Sequence, residues 1–322
     1  MKKIFSIVLT LFAAFGLFSC QKDKVNVLTS SYLTYSIVEQ LTKNTQITVS
    51  TARAPYLNIH NSELTLRDKR KIIESDLLIY FSENVDFQLK KARGSLDSLN
   101  LEKTLGINEK TFSKVGGQIT ESEKKIRRHA ASHYWSSLEY TIKIIEKIAD
   151  KLIQKFENKT TIGFNETRLK SKIYELKDDF ANFLNNNFIN GLKDKKILFC
   201  GHDSIGAFMI EMGLLKGYTP IDTTIQDRNE DTIKAIDDFI EQIKKSTKNT
   251  YKILTVFVQE VGKEKVLEKL KSSVEDLNII NVSFKTFHTF HAVTKEEYHQ
   301  KIPFQVKISE NINNLKLALL GE

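Results

Sequence analysis

Residues 195–215, KKILFCGHDSIGAFMIEMGLL, change grammar halfway along. Ile197, Leu198, Phe199 and Cys200 form a continuous apolar run of the kind buried on both faces in a parallel sheet, and Gly201 lets the chain turn sharply after it. His202 is thereby placed at the carboxyl end of a strand. Asp203 and Ser204 offer N-cap chemistry for a helix over Ile205–Met212, with Gly213 as its stop. In open α/β sheets that strand edge is where ligands bind.

Outward from this stretch the same grammar recurs. Val25–Leu28 and Ile47–Val49 read as strands on either side of a helix over Tyr32–Leu41. A loop from Thr51 to Glu63 carries Pro55 and His60, Thr65 caps a short helix, Leu77–Phe81 is a buried-type strand, and Asp86–Arg93 is helical. Strand, helix, strand, loop, helix, strand is the βαβ pattern of a parallel sheet. Gly116, Gly117 and the charged run to Arg128 read as a long irregular loop, in which Lys124, Lys125, Arg127 and Arg128 are solvated. The second half repeats the pattern: helices over Thr232–Lys245 and Lys263–Ser273, strands over Ile253–Val258 and Asn278–Phe284, and a closing helix over Ile308–Leu320.

Between the halves lie two long amphipathic patterns, Leu138 to Phe156 and Phe164 to Asn190, the second with Asn165 as its cap and Gly191 as its stop. About 27 residues of helix span on the order of 40 Å, enough to run the length of a two-lobed molecule. The fold class expected is α/β: two lobes, each with a parallel-type sheet flanked by helices, joined by one long rigid helix. The divisions are 1–20, 21–160, 161–192 for the linker helix and 193–322.

Residues 1–20 are an export signal, with Lys2 and Lys3 before an apolar run from Ile4 to Phe18 that is too short for a stable membrane span. Leu17-Phe18-Ser19-Cys20 resembles the bacterial lipobox, which implies lipidation of Cys20 and an extracytoplasmic chain anchored to a membrane. Removing the signal takes away two lysines and no acid, reducing the net charge from +8 to +6. Lysines interspersed with acids describe solvated helix faces rather than a nucleic-acid stripe. Cys200 is the other of two cysteines, so the anchored chain has no pair for an internal disulfide.

Seven histidines are present, without HExxH, CxxC or a histidine-rich tract. His60, His133 and His202 each fall at a turn or strand end in a different segment. Three imidazoles converging in a cleft between lobes favour zinc over manganese or calcium.

These segments together resemble the metal-binding solute-receptor lipoproteins of bacterial ABC transporters, the zinc and manganese receptor family. Residues 25–49 resemble the family's opening strand and helix, and Glu63–Phe81, with Ser75-Asp76 in place of Ala-Asp, resembles the segment after its proline-histidine loop, so that the family spacing lands on His60. Ser132-His133-Tyr134-Trp135 resembles Asp-Pro-His-x-Trp, with serine replacing proline. His202-Asp203-Ser204-Ile205-Gly206-Ala207-Phe208 before Met212-Gly213-Leu214 resembles the family's His-Asp segment before Tyr-Gly-Leu. Ile59 stands where proline precedes the first histidine, and a basic run replaces the histidine-rich loop of many zinc members.

The resemblance implies a monomeric binding protein, not an enzyme, that captures zinc as cargo at His60, His133 and His202 and passes it to an ABC permease and its ATPase. The family's manganese branch carries glutamate where this chain has His202, so zinc is favoured; a manganese or iron receptor is the alternative within the fold. From another class, a zinc hydrolase would need a general base, for which Asp203 and Glu260 are the candidates. The family's aspartate ligand is missing, since Asn281–His291 contains no acid. The fourth position is expected to hold water, then His288, with His291 and Glu260 as further alternatives.

Overall fold

The computed structural model describes residues 25–57, 62–113, 120–187, 195–222, 230–247, 254–260, 264–276 and 282–322. Cys20 and His60 lie outside them. Strands β1 (Val25–Thr29), β2 (Ile47–Thr51), β3 (Leu77–Tyr80) and β4 (Ser98–Asn100) form a parallel sheet in the order β2-β1-β3-β4. β5 (Ile197–Gly201), β6 (Tyr218–Asp222), β7 (Leu254–Gln259) and β8 (Val282–Phe287) form a second in the order β6-β5-β7-β8, also parallel. In each lobe the first strand is central, and chain order reverses beside it, so β5 delivers His202 to the crevice where this topology leaves room for a ligand.

The first lobe adds helices α1 (Tyr32–Leu41), α2 (Leu66–Ile73), α3 (Phe87–Ala92), α4 (Leu101–Leu105) and α5 (Glu121–Ser132). Helix α5 corrects the loop expected up to Arg128. Thr120 and Glu123 form a reciprocal capping box at its start, and Ile126, Ala130 and Ala131 give it a buried face. The basic residues Lys124, Lys125, Arg127 and Arg128 are therefore helical, and Arg127 donates to the carbonyl of Phe112 at 2.9 Å.

Helices α6 (Leu138–Phe156) and α7 (Lys159–Asn186) are the two long elements. α7 runs 28 residues, and starts earlier than its apolar pattern indicated. Asn165 is consequently inside α7, where its amide donates to the carbonyls of Leu41 and Lys43 at 3.0 Å and closes the end of α1. The second lobe carries α8 (Gly206–Glu211), α9 (Glu230–Thr247), α10 (Glu264–Asp276), α11 (Lys295–His299) and α12 (Phe304–Leu320).

One apolar core runs through both lobes: Leu33 and Ile37 of α1, Ile142 and Ile145 of α6, Ile173 and Phe180 of α7, Phe208 of α8 and Ile312 of α12 all belong to it. The end of the chain returns to the first lobe, where the Phe304 amide donates to the Ser36 hydroxyl at 3.1 Å and the Gln40 and Gln305 side chains exchange hydrogen bonds. Among the described residues no helix is long and apolar enough to cross a membrane.

Candidate metal centre

His202 is set by the last residues of two adjacent strands. A Cβ on Gly201 would lie 2.7 Å from the Cβ of Gln259, so only glycine allows β5 and β7 to close there. The gap brings the Gln259 side chain close enough to accept the His202 amide at 2.9 Å. Asp203 and Ser204 do not cap the helix that follows: the Asp203 carboxylate accepts the Tyr218 hydroxyl at 2.8 Å, and the Ser204 hydroxyl donates to the His202 carbonyl at 3.0 Å.

His133 arrives from the first lobe as the C-cap of α5, with φ −125° and ψ 35°. Its Nδ1–H donates to the His129 carbonyl at 3.2 Å, which leaves the lone pair on Nε2. The Tyr134–Ser136 turn then anchors the segment, because Trp135 stacks on Phe81 at 4.1 Å between centroids and Tyr134 donates to the Phe81 carbonyl at 3.1 Å.

His133 and His202 meet, with their Nε2 atoms 2.8 Å apart and both side chains buried. A third imidazole, His129, lies one helical turn before His133 and is half-buried, with its Nε2 3.3 Å from that of His202. The ligand atoms of these three histidines all fall within 4.8 Å of one another. In tetrahedral zinc with bonds of about 2.0–2.1 Å, neighbouring nitrogens stand roughly 3.3–3.4 Å apart. The His129–His202 edge already has that length, and the His133–His202 edge needs to open by about half an ångström.

Of the three expected ligands, then, the structure brings His133 and His202 together, while the stretch carrying His60 lies outside the described residues. Its flanks are both tied: the buried Arg53 donates to the Ser62 carbonyl at 3.2 Å and hydroxyl at 3.0 Å, and the Val293 amide donates to the Pro55 carbonyl at 3.1 Å. His129 was missed because its segment read as a loop. Its spacing of four from His133 would have put both rings on one helix face.

The alternatives for the fourth position separate by their partners. His288 turns away, with Nε2 2.8 Å from Glu310 and its amide on Asn311 at 2.8 Å; burial lowers its pKa. Glu260 is occupied by the loop after β8, accepting the Thr289 amide at 2.8 Å, the Thr289 hydroxyl at 3.0 Å and the Phe290 amide at 2.9 Å. Desolvation pushes its carboxyl up to about 7. The clamp holds Phe290 in the left-handed region, at φ 66°, and Thr289 in turn bonds His291 Nδ1 at 2.9 Å. The buried His291 ring closes the back of the centre, 5.1 Å from that of His133 and 5.3 Å from that of His202. With Asp203 held by Tyr218 and Glu260 by the loop, neither hydrolase candidate is poised to activate a water.

The zinc-uptake complex component A family, periplasmic (ZnuA), matches residues 27–308. Among solved structures, a periplasmic zinc binding protein, TroA from Treponema pallidum, is 13% identical, covers 92% of this chain and 99% of its own, and superposes with a TM-score of 0.70. The Zn(II)-bound ZnuA-like domain of AdcA from Streptococcus pneumoniae is 17% identical over 92% and 99% of the two chains, with a TM-score of 0.67. A Mn-bound periplasmic metal binding protein from Candidatus Liberibacter asiaticus is 16% identical over 91% and 100%, with a TM-score of 0.62. At these identities the likeness establishes the fold, two α/β lobes joined by a long helix. The comparison with curated proteins gave no significant match.

Proposed function

Because the chain belongs to the family of periplasmic zinc-uptake components, which bind their metal rather than transform it, we propose that it captures zinc outside the cytoplasm and delivers it to an ABC permease driven by its ATPase. His133 and His202 are the core ligands, one from each lobe, and His60 joins them from the loop between Pro55 and Ser62. The observation that carries this reading is the 2.8 Å approach of two buried imidazole nitrogens across the interlobe crevice. Two imidazoles in such a place serve a borderline cation better than a structural purpose.

Zinc is favoured over manganese by the donor set. Among the described residues the cluster consists of nitrogens alone, whereas manganese prefers carboxylate, carbonyl and water oxygens. The rigid α7 connection and the shared core suit a receptor that works as a monomer and closes by a small tilt. Cys20, lipidated after signal removal, would hold it at the membrane beside its permease.

Metal analysis of protein purified without chelator, followed by dialysis against zinc, manganese and iron in turn, tests the proposal. Stoichiometric zinc that survives excess manganese is expected. Retention of manganese in preference to zinc would make the chain a receptor of the other branch, and absence of any bound metal would refute the reading.

A further inference from the structure

We propose that His129 is a zinc ligand and takes the coordination position left by the missing aspartate, so that the cargo is held by imidazoles alone. The inference rests on the reading of His133 and His202 as the core of the site. Three observations lead to it. First, no other side chain nearby is left to fill it: residues 281–291 contain no acid, His288 is engaged with Glu310, and both oxygens of Glu260, at the end of β7, are taken by Thr289 and Phe290. Second, His129 already stands beside the pair, with the ligand atoms of all three histidines within 4.8 Å of one another. Its Nε2 lies 3.3 Å from His202 Nε2, about the edge of a zinc tetrahedron, and its ring stacks on that of His133 with 4.7 Å between centroids and 25° between planes.

Third, the backbone of His129 is what orients His133. Its carbonyl accepts the Nδ1–H of His133, so one turn of α5 both supplies a ligand and fixes the tautomer of the next. The pair, four residues apart with His129 in the last turn of α5 and His133 as its C-cap, is thus a two-pronged holder that approaches His202 from one side. His129 is also the more exposed of the two, so that zinc entering from solvent meets it before the buried His133 and His202.

Zinc affinity measured by chelator competition, together with the visible absorption of the cobalt(II)-loaded chain, tests this on His129→Ala, His129→Asp, His291→Ala and His133→Ala, each checked for an unchanged apo melting temperature. His129→Ala is expected to weaken zinc by a hundredfold or more and to change the cobalt spectrum. His129→Asp, which restores an acid, should stay within about tenfold of wild type for zinc and bind manganese more tightly than wild type. Wild-type affinity and spectrum in His129→Ala, with binding lost in His133→Ala, would overturn the role of His129 while leaving the proposed function standing. The same result accompanied by a loss in His291→Ala would move the fourth ligand to His291. Unchanged binding in both His129→Ala and His133→Ala would remove this inference and the metal centre with it.

Discussion

Glu211 accepts a hydrogen bond from the Ser137 hydroxyl at 2.7 Å, so a carboxylate of the second lobe caps the helix that follows His133 in the first. It also accepts the amides of Leu138 at 2.7 Å and Glu139 at 3.1 Å, and pairs with Lys177 of α7 at 2.8 Å. The negative charge sits where the first turn of α6 presents unsatisfied N–H groups. Because Glu211 ends the helix that begins four residues after His202, and Ser137 stands four residues after His133, this contact registers the segments carrying the two proposed ligands against each other. Glu211→Ala should lower stability by about 1–3 kcal/mol, the cost of orphaned helix amides and a lost charged acceptor, and weaken zinc binding as well. Denaturant melts and zinc titration on one preparation check both effects.

Gly201→Ala should act on the other side of the site. The new Cβ would collide with the Cβ of Gln259 at 2.7 Å, with the strand backbone of β7 behind it. Gln259 is the acceptor for the His202 amide, so relief of the clash has to move His202. We expect a stability loss of about 1–3 kcal/mol, as for overpacking elsewhere, with a fall in zinc affinity beyond that of an equally destabilised variant remote from the site. Wild-type zinc affinity in a folded Gly201→Ala chain would show that the close approach of β5 and β7 does not set His202.

The two lobes are expected to move little. A continuous core, the Glu211 latch and a helix of 28 residues all resist a wide hinge. Small-angle scattering curves of apo and zinc-loaded protein should nearly coincide, and a large compaction on loading would contradict this.

Acid should stabilise one part of the first lobe. Asp86 is buried and accepts the Phe81 amide at 3.0 Å, and desolvation raises its pKa from 3.8 to about 6 against the pull of Arg53. A carboxyl that binds its proton more tightly when folded contributes stability fully below its unfolded pKa. That contribution is lost as pH rises through the folded value, here between about pH 4 and 6. The stability of wild type relative to Asp86→Asn should therefore decline as pH is raised across that window in chelator. A difference independent of pH would show that Asp86 titrates alike in both states.

Much of this was legible in the residues. Ile197–Cys200 and Leu77–Phe81 announce strands buried on both faces, and both are central or next to central in their sheets. Tertiary context decided the rest. Asn165 looked like a cap because it precedes an apolar period, yet it serves α1 from within α7. Ser204 and Asp203 have N-cap chemistry, but nearby partners claimed both. The region before His133 looked like a loop because charges dominate it, while three buried residues, Ile126, Ala130 and Ala131, suffice to hold it as a helix against the second lobe. That one misreading concealed His129. His60 and Cys20, expected as a ligand and a lipid anchor, lie outside the described residues, and mutagenesis of each is their test.

Zinc K-edge X-ray absorption on the loaded wild-type chain addresses the cross-lobe histidine centre without altering a residue. The expected first shell is nitrogen-rich at about 2.0–2.1 Å, with the outer-shell scattering of at least three imidazole rings. A shell dominated by oxygen, or one that requires fewer than two imidazoles, would contradict capture of zinc between His133 and His202.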